Sequence, residues 1–240
     1  MQKKDKNSCE NQTNRIKTIR YIRYSFEKTL RERQEYTFFG DIYVYVKDPM
    51  PENIDLAAVL GEVENTVPLQ LAKEIDMIYV GRFEELAERE LQALYKDGAL
   101  YLTNLQHSEE QMIENIIHEL AHAIEEAYGT DIYMDGAIEK EFLGKRKRLF
   151  DILKAEGYEL PLEPFMNSEY SSEFDNFLYK EIGYPSLTAL TMGLFLSPYA
   201  ATSLREYFAN GFEGYYTDDP RYLQKVSPQL FIKIDNIARI

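Results

Sequence analysis

The sequence predicts an α+β fold in which a small mixed sheet carries one long amphipathic helix and the C-terminal part is mostly helical. Three observations predict it. Short β-rich runs alternate with helical patterns up to about residue 103. A capped amphipathic helix starts at Ser108. Beyond it the readable elements are helices, at 137–156, from about 204, and at 227–240.

The chain has 240 residues, 45% hydrophobic and 28% charged, which suits a buried core and excludes general disorder. Its net charge of −14 argues against nucleic acid as a partner, because phosphates would be repelled. The one cysteine, Cys9, cannot form a bridge within the chain. No apolar run follows the N-terminal lysines, so a cytoplasmic location or release by a non-classical route is expected. The charge is uneven: residues 1–36 hold ten Lys/Arg and five acids, which leaves −19 on the remainder. Within them Ile19, Ile22, Phe26 and Leu30 recur at helical spacing. This basic segment is expected to be a first helix packed on an acidic body, with a membrane-surface or partner-docking helix as the alternative. The uncharged stretch 182–204 contains Gly183, Pro185, Gly193 and Pro198 and is read as protein interior, not a membrane span.

The elements follow in order. Residues 37–46, with Phe39, Ile42, Val44 and Val46, suggest a strand. Pro51 and Asn53 open a helix to about Val63, and 76–80 reads as a second strand. The runs 91–96 and 99–103 flank Asp97-Gly98, the dipeptide suited to a tight hairpin. Ser108 and Gln111 form a capping box, and Gly129 is the expected stop of the helix they open. Its apolar stripe is Ile113, Ile117, Leu120, Ile124 and Ala127; the opposite stripe is Gln111, Asn115, His118, His122 and Glu125. The run Lys145-Arg146-Lys147-Arg148 in the next helix is read as a solvated face.

The chemistry lies on the polar stripe. His118-Glu119-Leu120-Ala121-His122 is an H-E-x-x-H pattern. Two histidines four apart on a helix project side by side onto one metal, and the glutamate between them reaches a metal-activated water as general base. His118 and His122 are therefore candidate ligands and Glu119 the candidate base. A tetrahedral catalytic zinc needs a third protein ligand. His107 lies in a loop before the helix, and Asp131 and Asp135 follow it closely. The strongest candidate is more distant: Glu206, on a helix where it shares a stripe with Asn210. Ser203-x-x-Glu206 is also a capping box, which gives that carboxylate a competing use.

Tyr199, six residues, then Glu206-Tyr207-Phe208-Ala209-Asn210-Gly211-Phe212, downstream of the histidine pair, resembles the anthrax lethal factor-like zinc metallopeptidases. This gluzincin-type group includes the Pro-Pro endopeptidases. The resemblance covers about the last 150 residues and implies a zincin-like fold, one zinc per chain held by His118, His122 and Glu206, and Tyr199 pointing into the active site. Two departures stand out. The position four after Glu206, acidic in many relatives, is Asn210, which is left as an uncharged outer partner of a ligand imidazole. The separation of His122 from Glu206 is also longer than the family pattern, so relatives' substrate preferences are not transferred.

The implied protein is a monomeric zinc endopeptidase acting on protein or peptide substrates. It would have a basic segment at 1–36 and a catalytic domain at 37–240, comprising a sheet part (37–129), a helical insert (130–198) and a C-terminal helical part (199–240). Glu119 would be the base and Tyr199 would donate to the oxyanion. Ala99, Leu100, Tyr101, Leu102 and Thr103 would form the sheet edge that pairs with an extended substrate. Two other classes fit the same motif: a toxin-like or phage-type interaction module with a structural zinc, and a non-peptidase zinc hydrolase. A structural site has no need of Glu119 or Tyr199.

Overall fold

The computed structural model describes residues 36–239; the helix expected before them lies outside the described residues. One compact unit begins at Thr37 and contains everything described below except Tyr36, the first residue of β1. The fold is α+β. Strand β1 (Tyr36–Phe38) and β2 (Ile42–Val46) are joined through Phe39 and Gly40, both at positive φ. The single strand expected over 37–46 is thus two strands and a turn, since alternating apolar residues do not reveal a reversal. Helices α1 (Leu56–Thr66) and α2 (Leu69–Ala72) lead to β3 (Met77–Val80), and α3 (Glu84–Glu88) leads to β4 (Ala93–Lys96) and β5 (Ala99–Leu102).

The sheet order is β1-β2-β3-β5-β4, with β2, β3 and β5 parallel and β4 antiparallel to β5. Asp97 and Gly98 take φ of 51° and 78°, as a two-residue hairpin requires. A side chain at Gly98 would also meet Asp76 Oδ2 at 2.8 Å. This order corrects the expected substrate edge. Ala99, Leu100, Tyr101 and Leu102 are paired on both sides, to β3 and to β4, and Thr103 N donates to Gln92 O at 2.9 Å. The hairpin places β4 outermost, so among the described residues the free edge beside the helix that carries His118 and His122 is Ala93–Lys96.

Helix α4 (Glu109–Tyr133) packs on this sheet and on α1. Ser108 Oγ accepts from Gln111 N at 3.2 Å, as the capping box requires. The helix does not stop at Gly129. An interior glycine costs about 1 kcal/mol against alanine. The turn beyond it offsets that by burying Ile132 completely and by the Tyr133 hydroxyl donating to Glu125 at 2.6 Å. Met112, Ile116, Ile117, Leu120 and Ile124 are all fully buried, whereas Ala127 is exposed.

Helix α5 (Ala137–Ala155) follows, then a 3₁₀ turn (Glu163–Met166), α6 (Ser172–Asn176) running into a π turn (Phe177–Ile182), and α7 (Tyr184–Leu190). A second 3₁₀ turn (Tyr199–Ala201) precedes α8 (Leu204–Thr217), α9 (Pro220–Val226) and α10 (Pro228–Ile237). The insert helix α5 is core, with Ile138, Phe142, Leu149 and Leu153 fully buried. The basic run on it is not one solvated face. Lys145 is 7% and Arg146 1% exposed, while Lys147 pairs with Asp151 and Arg148 faces solvent. Residues 145 and 146 share the helix side of Phe142 and Leu149, and their side chains donate to backbone carbonyls. Among the described residues no helix is long and apolar enough to cross a membrane.

Candidate metal centre

Helix α4 presents His118 and His122 one turn apart, with ring centroids 5.3 Å apart. Helix α8 lies against α4 and brings Glu206 to both. Its carboxylate divides between them, Oε2 at 3.1 Å from His118 Nε2 and Oε1 at 3.7 Å from His122 Nε2. One ligand atom from each of His118, His122 and Glu206 lies within 4.8 Å of the others. The Ser203 hydroxyl still accepts from Glu206 N at 3.1 Å, so backbone capping and the side chain's role are both met.

The far side of each imidazole is also held. His118 Nδ1 lies 2.9 Å from Glu213 Oε2, and His122 Nδ1 lies 3.4 Å from Glu125 Oε2. Glu125 is itself fixed by Arg205 Nε at 2.8 Å and by the Tyr133 hydroxyl. A carboxylate behind each ring orients it, an arrangement that suits a metal-binding histidine. The sequence reading assigned the outer role to Asn210, but among the described residues no hydrogen bond joins Asn210 to either ring, and Glu213 occupies that place. Glu213 falls two turns beyond Glu206 on the same face, and that period was the available signal. Glu125 was legible on the polar stripe of α4, although its partner Arg205 was not.

The electrostatics agree. Burial acts to lower the pKa of His118, but Glu206 and Glu213 outweigh it and push the value up to about 10. Two carboxylates that hold a proton there also favour a dication, because proton and metal compete for the same lone pair. Glu206 is lowered despite its burial by the imidazoles and Arg205. The donor set of two imidazoles and one carboxylate therefore fits a divalent metal, and zinc in particular takes such a set.

Glu119 lies on the adjacent helix position, with Oε2 accepting from Tyr95 N of β4 at 2.6 Å. Burial raises its pKa, against the pull of the two histidines and the Tyr95 N–H. The Tyr199 ring stands 6.4 Å from that of His118. Its pKa is raised by burial and by the Glu206 charge, so the phenol keeps its proton and remains a donor. Among the described residues no protein group takes that hydroxyl's hydrogen bond. The other candidate ligands lie apart from this cluster: His107 and Asp131 are exposed, and Asp135 pairs with Lys233 at 2.8 Å.

Fold and site together define an α+β protein with a His₂–carboxylate cluster able to hold a metal ion. No family model, curated protein or solved structure matches the chain.

Proposed function

We propose that the protein is a zincin-like zinc metalloendopeptidase, with His118, His122 and Glu206 holding one zinc and Glu119 acting as general base. The observation that carries the reading is the meeting of Glu206 with both imidazoles of the H-E-x-x-H helix while Glu119 remains free of that cluster. A purely structural site would gain nothing from a buried carboxylate of raised pKa beside the ligands.

Zinc bound there would act as a Lewis acid and lower the pKa of a coordinated water toward neutrality. The residues of the chain do the rest. Glu119, lifted above the usual carboxylate range, accepts the proton of the attacking water and passes it to the leaving amine. The Tyr95 N–H keeps one of its oxygens in place, so the other is aimed at that proton. The Tyr199 phenol donates to the oxygen that becomes negative at the scissile carbonyl. Antiparallel alternation turns Ala93 and Tyr95 away from β5, since Gln92 is bonded to Thr103. With Tyr95 N–H engaged by Glu119, the Ala93 amide and the Ala93 and Tyr95 carbonyls are the groups an extended peptide would meet.

The test is Glu119→Gln. It preserves volume and all three ligands, so elemental analysis should still return one zinc per chain. Cleavage of a mixed peptide library should fall by roughly 10²–10⁴, the range for losing a general base. Cleavage at the wild-type rate would sink the peptidase reading. Full zinc with no cleavage by either protein would favour a structural site or a different zinc hydrolase.

A further inference from the structure

Among the described residues Arg146 is the largest side chain buried to this degree, and no carboxylate among them pairs with it. Its Nη1 donates to Ala201 O at 3.0 Å and to Thr202 O at 3.3 Å, and its Nη2 donates to Pro164 O. The guanidinium lies over the Phe174 ring, 4.0 Å from the centroid. Burial pulls its pKa down to about 9, so it is still cationic at neutral pH. A buried cation is costly unless its donors are satisfied; here carbonyls take both terminal nitrogens, while Nε has no partner among the described residues. Two of those carbonyls belong to the 3₁₀ turn and cap that carry Tyr199 and lead through Ser203 into Glu206. The third lies in the insert, where Ser168 O also accepts from Leu204 N at 2.8 Å.

The geometry points to Arg146 as a positioning residue: its guanidinium fixes the 199–203 turn so that the Tyr199 phenol and the Glu206 carboxylate converge on the histidine pair. This rests on the metallopeptidase reading for Tyr199, but not for Glu206, whose approach to the imidazoles is a matter of geometry. A planar guanidinium presents its donors in a rigid fork that fixes the relative positions of neighbouring carbonyls, whereas an ammonium's three donors rotate on a flexible stem. Lys145, the preceding residue, is the internal contrast. Its ammonium is also buried and donates to Leu194 O, Val226 O and Ser227 Oγ, none of which lies in the turn.

The experiment uses the full chain and four variants: Arg146→Lys, Lys145→Met, Tyr199→Phe, and the Arg146→Lys/Tyr199→Phe double. Zinc affinity is measured by competition with a chromophoric chelator, and turnover of a peptide library is measured at saturating zinc. Arg146→Lys should weaken zinc about 10-fold, the low end for losing an outer partner of a ligand. It should also lower kcat about 10-fold with KM little changed, and add less than about twofold in the Tyr199→Phe background, because coupled residues are not additive. Lys145→Met should lower thermal stability while zinc affinity and kcat stay within about twofold. Equal loss of zinc affinity in Lys145→Met and Arg146→Lys, or full multiplication of Arg146→Lys with Tyr199→Phe, would overturn the assignment.

If the wild type cleaves no peptide, the peptidase reading fails separately, and zinc affinity alone decides. An unchanged value in Arg146→Lys then rejects the positioning role, and a 10-fold loss confined to it carries the role. Should Arg146→Lys not fold, Phe174→Leu removes the ring beneath the guanidinium and leaves its hydrogen bonds. A loss of zinc affinity in the same direction supports the proposal, and none rejects it.

Discussion

Helices α4 and α8 both begin at a serine whose hydroxyl accepts from the N–H three residues on, 3.2 Å at Ser108–Gln111 and 3.1 Å at Ser203–Glu206. From this shared start they diverge. In α4 the chemistry sits a full two turns further on, and His118, Glu119 and His122 are placed relative to one another by helix geometry alone. In α8 the capping residue itself, Glu206, turns its carboxylate away from its own N-terminus and onto the imidazoles of the other helix. Both helices also supply an orienting carboxylate, Glu125 from α4 and Glu213 from α8. The difference teaches that a capping motif fixes a backbone, whereas the neighbouring helix decides what its side chain does. What α4 contributes survives in any fold that keeps the helix; what α8 contributes exists only when the two helices are packed.

That contrast can be broken most decisively at Glu206. Glu206→Ala should abolish co-purification of zinc by elemental analysis, while Asp131→Ala and Asp135→Ala should each retain one equivalent. The reverse pattern would move the third ligand to the C-terminal end of α4 and make the site a local product of one helix. The next effect is that of Tyr199→Phe. Losing one donor to a developing oxyanion costs roughly 10²–10³ in turnover, about 2.7–4 kcal/mol, with zinc content and KM little altered. Near-normal turnover would reduce Tyr199 to a packing residue.

The orienting carboxylates sharpen the comparison. Glu213→Gln should weaken zinc by about 10–100-fold, the usual range for an outer partner of a ligand imidazole. Asn210→Ala should change it by less than about twofold. If Asn210 proves the costlier change, the outer role returns to the residue that its position in the sequence suggests.

The same pair of helices also predicts a dependence on pH. In the folded metal-free protein His118 is raised from 6.5 to about 10. A raised histidine contributes stability that is fully present below its unfolded value and is lost as pH rises through the folded one. The melting temperature of the metal-free protein should therefore fall between pH 7 and pH 10 through this group. Zinc must displace the same proton, so its affinity should rise by about tenfold per pH unit over that window. A flat chelator-competition curve from pH 7 to 9 would show that His118 does not carry the proton.

The sequence by itself determined what depends on residues three or four apart: the Ser108 cap, the register of His118, Glu119 and His122, and the Asp97-Gly98 reversal. It also reached Glu206, through its stripe and its resemblance to a known motif. Tertiary structure decided the rest. The hairpin at 97–98 was legible, but the pairing of β5 with β3 was not, and that pairing moves the free edge from 99–103 to Ala93–Lys96. Gly129 is a sound local stop signal, overruled because Ile132 is fully buried and the Tyr133 ring meets Phe208 of α8. Four consecutive basic residues look solvated until Lys145 and Arg146 meet the carbonyls of segments some fifty and more positions away. Local rules count hydrogen bonds a residue can make within its own turn. A buried cation, a paired strand edge or a carboxylate behind a histidine is satisfied by groups distant in sequence, and only the packed chain supplies them.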